Sequence, residues 1–318
     1  MKIGYTLASE ERGPKGLIAT AVKAEEKGFD FLGVSDHFHP WTPIQGQSPF
    51  SWSIIAVVGQ ATSRIEVFSE VVCPIMRYHP AIVAQAAATS QILLDGRYIL
   101  GVGTGEYLNE HVVGEGWPHI TVRRLMLEEA VEIIRELWTG KIVNYYGDFF
   151  TVEAARLYTL PKILPPIVVS AFGPKSAKLA GRIGDGFVSV VPSREVVEPY
   201  EKASEMIGPK YVQMTVSFGT DREAAKKRVK DQWPNAGLSG QVVSELRTTE
   251  YFKQAFDTLT VEQVTNGVVC GNDADEYLEQ IQKLKEAGYT HVCLHDVSGS
   301  EGAFLDFAAK ELLPEMQD

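Results

Sequence analysis

The stretch Phe31-Leu32-Gly33-Val34-Ser35-Asp36-His37-Phe38-His39-Pro40-Trp41 decides how the rest of the sequence is interpreted. Its first four residues are typical of a buried strand, and an acid, two imidazoles and an indole follow within seven positions. A packed core has no use for such a polar cluster. In parallel α/β proteins the carboxyl ends of the strands open into the crevice where the chemistry takes place. The stretch therefore predicts a strand that delivers functional side chains to a site.

On both sides of this stretch, short β-branched runs alternate with longer helical patterns. Strands are predicted at residues 3–7, 31–35, 65–72, 97–102, 167–171, 186–190, 211–217 and 291–295, and an antiparallel hairpin around residues 146–148. Helices are predicted at residues 16–27, 80–94, 122–138, 274–287 and 302–313, with another beginning near Pro174. About eight strand-then-helix units in one chain predict an α/β fold, a (β/α)8 TIM barrel.

Residues from about 232 to 259 break this alternation and predict a helical insertion late in the chain. No low-complexity linker divides the sequence. We therefore expect residues 1–318 to form a single barrel domain.

The composition narrows the possible partners. The chain has 318 residues, of which 45% are hydrophobic and 22% charged, and its formal net charge is -11. That negative charge argues against nucleic acid as a binding partner, because phosphate binding requires a basic face. No apolar run approaches the length of a membrane span, and the first residues form a strand pattern without a leader, so we expect a cytoplasmic protein. Three scattered cysteines are expected to be reduced and buried.

The glycine run Gly101-Val102-Gly103-Thr104-Gly105-Glu106 follows a predicted strand. A dinucleotide-binding fingerprint would need a third glycine where Glu106 stands and an acid about twenty positions later, which the sequence lacks. The run instead predicts a loop that lets backbone approach a ligand, with Glu106 and Asn109 beside it. A simple tight turn is the alternative.

The pair His37 and His39 resembles the H-x-H motif of barrel metallohydrolases, and Asp296 near the last strand could supply an acid. The predicted fifth and sixth strands contain no histidine, so too few ligands remain for a catalytic ion. We expect no metal site. The other histidines, at positions 79, 111, 119, 291 and 295, are expected to be hydrogen-bonded within the fold or solvated.

Asp36, His37, Trp41 and Glu106 are expected to face one mouth of the barrel. An imidazole suits removal of a hydroxyl proton near neutral pH. A nearby carboxylate can tune the pKa of that imidazole or exchange protons with a second reacting centre. No serine or cysteine nucleophile accompanies these residues. The pattern favours general acid-base chemistry on a bound substrate or cofactor, and the alternative is a solvated acidic loop with a packing tryptophan.

Glu70 follows an apolar strand that is expected to lie inside the fold, where an unpaired charge would cost several kcal/mol. A bulge or a distorted strand end is the simplest resolution. The sequence leaves a structural Glu70 at the rim and a functional Glu70 equally open.

Three motifs together resemble a known family: Ser35 to Trp41, Gly101 to Glu110, and Ala180-Gly181-Arg182-Ile183-Gly184-Asp185-Gly186-Phe187. The chain is similar to the luciferase-like barrel oxidoreductases that use the deazaflavin coenzyme F420, and the glucose-6-phosphate dehydrogenase branch looks nearest. The resemblance is strongest from Val34 to Trp138 and weakens after Val190.

This resemblance implies an F420 site and a role for each matched residue. His37 looks like the base that takes the hydroxyl proton, Trp41 like a wall that stabilises the transition state, Glu106 like the acid that protonates the deazaflavin ring, and Glu10 like a carboxylate at the edge of the site. The cofactor would be lined by Asp36, Glu70, Val71, Cys73, Thr104, Gly105, Asn109, Phe172, Gly173, Lys175 and Ser176. Phe172 and Cys73 depart from the family, which has glycine and threonine there.

Further features implied by the resemblance are a cis peptide between Glu70 and Val71, a phosphate held at the helix start near Pro174, and a homodimer. In the glucose-6-phosphate dehydrogenase branch, three cations hold the sugar phosphate. Ser193, Glu245 and Gly267 align with them here, and none can neutralise a dianion. Arg194 and Arg247 are close enough in sequence to substitute.

The sequence thus predicts an F420-dependent oxidoreductase that moves a hydride between a carbinol carbon, of an alcohol or a sugar, and the deazaflavin. Glucose 6-phosphate is not the expected substrate. The alternatives are an FMN-dependent monooxygenase of the same fold, a flavin-binding barrel without turnover, and a metal-dependent hydrolase.

Overall fold

The computed structural model describes residues 1–316, and its centre is a closed barrel of eight parallel strands. The strands are β1 (Lys2–Leu7), β2 (Phe31–Val34), β3 (Glu66–Ser69), β4 (Tyr98–Val102), β5 (Val143–Tyr146), β6 (Thr151–Ala155), β7 (Ile167–Ser170), β8 (Gly186–Ser189), β9 (Lys210–Ser217), β10 (Val269–Cys270) and β11 (His291–Asp296). The barrel runs β1-β2-β3-β4-β7-β8-β9-β11 and closes where β11 pairs with β1. The predicted TIM barrel is confirmed.

Helices surround the barrel and fill most connections between its strands. They are α1 (Pro14–Lys27), α2 (Ser51–Ala61), α3 (Pro80–Leu93), α4 (Tyr107–Glu110), α5 (Ile120–Leu137), α6 (Pro174–Ile183), α7 (Arg194–Ala203), α8 (Arg222–Gln232), α9 (Val242–Glu245), α10 (Thr249–Asp257), α11 (Val261–Thr265), α12 (Ala274–Glu286) and α13 (Glu301–Phe307). No helix in residues 1–316 combines the length and the apolar character needed to cross a membrane.

Alternation along the strands separates the helix-facing core from the barrel interior. In β1, Ile3, Tyr5 and Leu7 are fully buried in the large cluster that includes the helices, whereas Gly4 points inward. A Cβ at Gly4 would lie 2.3 Å from a ring carbon of Phe31, so only glycine fits there. Two residues on, Thr6 points inward as well, because side chains repeat every second position.

A separate buried cluster fills the amino-terminal half of the barrel interior. It consists of Phe31, Phe68, Ile99, Val168, Val188, Tyr211 and Cys293. The rings of Phe31 and Tyr211 meet edge to face with centroids 5.3 Å apart. Because this half is packed with side chains, only the carboxyl ends of the strands are left for polar groups and ligands.

The predicted helical insertion is confirmed and extends further than expected. After α8, a 3-10 turn at Pro234–Gly237 and the helices α9, α10 and α11 occupy the connection to the two-residue strand β10. Strand β10, which the sequence reading missed, pairs with Val216 and Ser217 at the end of β9. The predicted hairpin is the antiparallel pair β5-β6.

The third barrel strand is shorter than predicted. It ends at Ser69, the Glu70–Val71 peptide is cis as the resemblance implied, and Val72 makes an isolated bridge to Val102. The expected strand end at residue 72 is therefore wrong, and the distorted strand end expected around Glu70 is confirmed.

Candidate active site

His37 lies between two carboxylates at the carboxyl end of the barrel. Its Nε2 is 3.3 Å from Oε1 of Glu10 and 3.6 Å from Oε2 of Glu106. Glu10 follows β1, His37 follows β2 and Glu106 follows β4, so three separate loops bring these groups together. The structure thus assembles three of the residues that the sequence singled out.

The orientation of the imidazole ring is fixed through its other nitrogen. Nδ1 of His37 is 3.1 Å from the carbonyl oxygen of His39 and 3.2 Å from Nδ2 of Asn109. The carbonyl oxygen can only accept, and the amide of Asn109 has Oε2 of Glu106 as an acceptor for its hydrogen. This arrangement favours the tautomer with the hydrogen on Nδ1, which leaves Nε2 to act as a base. Burial by itself would lower the pKa of His37, but the charges of Glu10 and Glu106 outweigh it and raise that pKa above its ordinary value.

Glu106 is held by Asn109, one helical turn later in the chain. Nδ2 of Asn109 donates to Oε2 of Glu106 at 3.2 Å, while its Oδ1 accepts from the backbone N–H groups of Phe38 and His39. Burial raises the pKa of Glu106 to about 7, against the lowering effect of His37. Near neutral pH this carboxyl group can therefore both hold and release a proton.

Glu10 is almost fully buried beneath His37. Its Oε2 accepts from the hydroxyl of Ser35 at 2.7 Å, and its other oxygen faces the imidazole. Ser35 also bonds to the Ser9 backbone N–H, so the carboxylate sits on a fixed support. This arrangement orients Glu10 toward Nε2 of His37.

Trp41 closes the site on the side of the insertion. Its ring centroid is 4.9 Å from that of His37 and 5.1 Å from that of Phe252 in α10. The indole is buried, and its Nε1 has no hydrogen-bond partner among residues 1–316. Phe252, which the sequence reading missed, gives no local signal because it lies over 200 positions from Trp41.

Asp36 is next to His37 in sequence, but its carboxylate points elsewhere. It accepts from Ser51 Oγ at 2.6 Å, from Tyr78 at 3.2 Å and from Arg77 Nη2 at 2.6 Å. Arg77 also contacts Glu110, so one guanidinium joins two acids. The sequence reading did not single out Arg77. Asp36 and Arg77 neutralise each other beside the site.

The loop after β4 packs against the loop after β3. Gly105 has a left-handed φ of 74°, and a Cβ there would lie 2.5 Å from Sγ of Cys73. Cys73 is buried, which raises the pKa of its thiol.

Val71 packs over Gly101 and Gly103, and Thr104 is partly exposed. Glu70 lies in the interior of the barrel, where its Oε2 accepts from the hydroxyl of Thr6 at 3.1 Å. All three cysteines are free and buried, as predicted.

A second group of predicted residues lies at the amino end of α6. Gly173 is the N-cap of α6 and, having no side chain, it leaves the first N–H groups of the helix uncapped. Lys175 is exposed, and Phe172 is 52% exposed. Nε of Arg124, from α5, donates to Oγ of Ser176 at 3.1 Å. Arg124 brings a cation that the sequence reading missed. Two cations beside uncapped helical N–H groups favour the binding of an anion at this helix end.

The four candidate substrate residues do not converge on one point. Ser193 caps α7 by accepting from the N–H of Glu195. Arg194 pairs with Glu201 along the same helix, and its guanidinium lies beside Gly288, at the opposite end of the barrel. Arg194 is therefore not placed to restore a phosphate site.

Glu245 and Arg247 belong to a stack that fastens the insertion to the barrel. Oε1 of Glu245 is 3.0 Å from Nη2 of Arg123, which is fully buried and lies 3.9 Å above the ring of Trp117. Trp117 stacks on Tyr107, and Arg247 lies 5.6 Å from the ring centroid of Tyr107.

One histidine expectation is wrong. His79 and His119 cap α3 and α5, and His111 and His291 also have hydrogen-bond partners. His295 is buried, yet both its ring nitrogens lack a hydrogen-bond partner in the part of the chain that the structure describes, and burial lowers its pKa to about 3. Its ring meets Trp233 of the insertion edge to face. Within residues 1–316, no group of three or more His, Cys, Asp or Glu side chains is arranged so that it could hold a metal ion.

Comparison with known proteins agrees with this architecture. The sequence profile of the luciferase-like monooxygenase family matches residues 1–291. The F420-dependent glucose-6-phosphate dehydrogenase of Amycolatopsis mediterranei (strain U-32) is 34% identical over 331 residues, covering 100% of this chain and 99% of that protein. That of Nocardia farcinica (strain IFM 10152) is 35% identical over 333 residues, covering 100% and 98%.

Among solved structures, an F420-dependent secondary alcohol dehydrogenase in complex with an F420-acetone adduct superposes with a TM-score of 0.92 and 32% identity, covering 100% of this chain and 99% of that one. The coenzyme F420 dependent tetrahydromethanopterin reductase from Methanopyrus kandleri shares the fold, with a TM-score of 0.81 and 19% identity over 99% of each chain. The profile match and the relatives of over 30% identity together show that this chain belongs to the luciferase-like monooxygenase family.

Proposed function

We propose that this protein is an F420-dependent oxidoreductase that transfers a hydride between the carbinol carbon of an alcohol or sugar and the deazaflavin. The observation that supports this most is His37, whose free Nε2 lies between Glu10 and Glu106 with Trp41 alongside. The similarity to dehydrogenases whose names include F420, over the whole chain, supports the cofactor.

The residues at the amino end of α6 fit an anionic cofactor. A Cβ on Gly173 would meet nothing within 4 Å, so the space in front of the helix is open. The uncapped N–H groups, Lys175 and the Arg124–Ser176 pair would hold a phosphate group there. Gly105 and Gly103 would let backbone approach the ring system, with Val71 and Asn109 beside it.

When bound, F420 supplies a two-electron hydride acceptor. His37 Nε2 takes the hydroxyl proton of the carbinol as the hydride leaves the carbinol carbon, which becomes a carbonyl carbon. Glu10 stabilises the imidazolium that this transfer creates, because its carboxylate is 3.3 Å away. Trp41 shields the reacting carbon from water.

Glu106 would hold the proton that F420 needs along with the hydride, and would release it when the hydride is transferred. Afterwards Glu106 is ionised and His37 is protonated, and their 3.6 Å separation allows the proton to pass back to Oε2 of Glu106. The alcohol would thus lose one hydride and one proton overall, both of which a bound F420 would take up, and His37 and Glu106 recover their starting states.

The substrate that we propose is a neutral carbinol rather than glucose 6-phosphate. Gly267 has no side chain, Ser193 is a helix cap, and Glu245 is already paired with Arg123. Arg194 is bound to Glu201. On the side of Trp41 the insertion contributes the apolar residues Trp233, Phe252, Phe256 and Val264. A dianion would find few cations there, and losing charge-assisted hydrogen bonds worth about 1.5–3 kcal/mol each weakens its binding strongly.

The test measures cofactor binding first and turnover second. Tight binding of F420 with no binding of FMN is expected, followed by reduction of F420 with a panel of neutral alcohols and sugars beside glucose 6-phosphate. Binding of FMN alone would point to a monooxygenase. Ordinary turnover of the phosphate at micromolar KM would contradict the proposed substrate class, and loss of that activity in Arg247→Ala would locate the missing cation.

We also propose a homodimeric enzyme in the cytoplasm whose partners are small molecules, with residues 1–318 acting as one domain. Light scattering on the purified protein measures the mass directly. A monomer at micromolar concentration would contradict the dimer.

A further inference from the structure

A short segment between β2 and α2 ties together two of the loops that carry the acid-base residues. We call residues 45–48, with the sequence Gln45-Gly46-Gln47-Ser48, the bracket. Oγ of Ser48 donates to the carbonyl oxygen of His37 at 2.7 Å, and the backbone N–H of Gln47 donates to the carbonyl oxygen of Glu10 at 3.0 Å. The bracket therefore links the loop after β2 to the loop after β1.

The amide of Gln45, a residue that the sequence reading did not single out, uses both of its ends. The side chain lies inside the structure, since Gln45 is only 5% exposed. Its Oε1 accepts from the backbone N–H groups of Trp41 at 2.8 Å and Thr42 at 3.3 Å. Its Nε2 donates to the carbonyl oxygen of Gln232 at 2.9 Å, and Gln232 is the last residue of α8, where the insertion begins. Because two N–H groups face one end and a carbonyl oxygen faces the other, the partners fix the orientation of the amide.

The insertion also packs against the indole of Trp41. Trp41 and Phe252 of α10 meet edge to face, and Trp233, the residue after Gln232, belongs to the same buried cluster. The ring centroid of Trp41 is 4.9 Å from that of His37. The backbone of Trp41 and its ring are therefore both fixed to the insertion, the first through Gln45 and the second by packing.

We propose that Gln45 is a positioning residue that determines substrate specificity, because its amide sets the position of Trp41 relative to the insertion and to His37. The inference rests on the proposed function, since it takes His37 as the base and a carbinol as the substrate. Gln45 acts through the indole of Trp41. The position of that indole sets how much room the substituents of the carbinol carbon have beside Nε2 of His37.

Gln45→Met removes both hydrogen-bonding ends of the side chain and keeps its length, so the fold should survive. Trp41 then loses its fixed position, and kcat/KM for 2-propanol should fall about tenfold, because a displaced positioning group lowers the rate. A looser wall discriminates less against bulk, so the ratio of kcat/KM for cyclohexanol to that for 2-propanol should rise about fivefold. The Kd for F420, measured by its fluorescence, should stay within about threefold of wild type, because the change lies on the substrate side.

Gln45→Glu separates the two ends of the amide. Its oxygens can still accept from the N–H groups of the Trp41 loop, but an ionised carboxylate has no hydrogen for the carbonyl oxygen of Gln232. At about pH 8.5, where this carboxyl group is ionised, the variant should lose as much kcat/KM as Gln45→Met. Gln60→Met is the matched control, because Nε2 of Gln60 donates to the backbone carbonyl oxygen of Leu93 at 2.8 Å on the outside of the barrel. Its rates and its Kd should equal those of wild type.

A measurement without ligand separates this inference from the proposed function. In protein made with fluorinated tryptophan, the fluorine NMR signal of Trp41, assigned from Trp41→Phe, should shift or broaden in Gln45→Met. The signal of Trp138, which is hydrogen-bonded to Ala84 outside the barrel mouth, should stay unchanged.

An unmoved Trp41 signal overturns the inference. An unchanged ratio of cyclohexanol to 2-propanol turnover in Gln45→Met does so too, as does a Gln45→Glu variant that keeps wild-type kcat/KM while ionised. A wild type that neither binds F420 nor oxidises a carbinol overturns the proposed function instead.

Discussion

Nδ2 of Asn109 donates a hydrogen bond of 3.2 Å to Oε2 of Glu106, the same oxygen that faces His37. The amide is itself held by two backbone N–H groups of the loop that carries His37. Asn109 therefore fixes the position of Glu106, the proposed acid, relative to His37, the proposed base, and we propose that it is a positioning residue.

Asn109→Ala should raise the pKa of Glu106 further above its present value of about 7, because the lost hydrogen bond favours the ionised carboxylate. If Glu106 acts as the acid, the alkaline limb of the kcat profile for alcohol oxidation moves upward in pH, and kcat falls about tenfold as the positioning is lost. The measurement is kcat between about pH 5 and 9.

Asn144→Ala is the control for this experiment, since Asn144 bonds to Ala154 in the hairpin β5-β6, far from the site. Its profile should match that of wild type. An Asn109→Ala profile with an unmoved alkaline limb would show that Glu106 is not the titrating acid.

His37→Ala should retain F420 binding while kcat falls by about two orders of magnitude or more, the usual loss for a general base. The raised pKa of His37 also predicts that activity is lost on the acidic side, where Nε2 is protonated. Stopped-flow reduction of F420 measures the step. The control is His119→Ala, which removes only the N-cap of α5 and should turn over normally. Near-parent turnover in His37→Ala would refute the assignment.

The pair Arg123 and Glu245 should respond unequally to removal of its two members. Arg123 is fully buried, whereas the side chain of Glu245 is 36% exposed. Glu245→Ala leaves a buried cation without its partner and should cost about 2–4 kcal/mol, while Arg123→Met leaves a carboxylate that water can solvate and should cost about 1–2 kcal/mol. Denaturant unfolding measures both.

Glu128→Ala gives the comparison for an exposed pair, because Glu128 and Arg182 are both at least 40% exposed. Its cost should stay below about 1 kcal/mol. If Glu245→Ala lowered the free energy of unfolding equally little, the insertion would not be held to the barrel by the stack of Arg123, Trp117, Tyr107 and Arg247.

Glu70→Gln should stabilise the fold increasingly as the pH rises. The folded-state pKa of Glu70 is about 8, above its ordinary value of 4.5, so its contribution is fully present below pH 4.5 and is lost as the pH rises through 8. The amide side chain of the Glu70→Gln variant does not titrate, so the variant does not lose stability in this way. The difference in unfolding free energy between variant and wild type should therefore grow to about 2–4 kcal/mol above pH 8. A difference independent of pH would mean that Glu70 titrates normally.

The sequence by itself determined the eight barrel strands, six of the thirteen helices that the structure describes, and the loops that carry His37 and Glu106. These features depend on local periodicity and on turn residues, which short windows of sequence contain. It also predicted the insertion, because the alternation of strands and helices stops there. The two-residue strand β10 was missed, since two residues form a strand only where β9 offers them a partner.

Only the tertiary structure decided what each polar side chain faces. Asp36 and Arg77 are 41 positions apart and Arg123 and Glu245 are 122 apart, and both pairs depend on how loops cross the barrel mouth. Strand register likewise decides whether Glu70 sits at the rim or in the interior. Helix packing decides whether Arg194 turns toward the site or along its helix. Sequence spacing does not contain this information, because a shift of one residue along a strand moves a side chain from the interior to the helix-facing core.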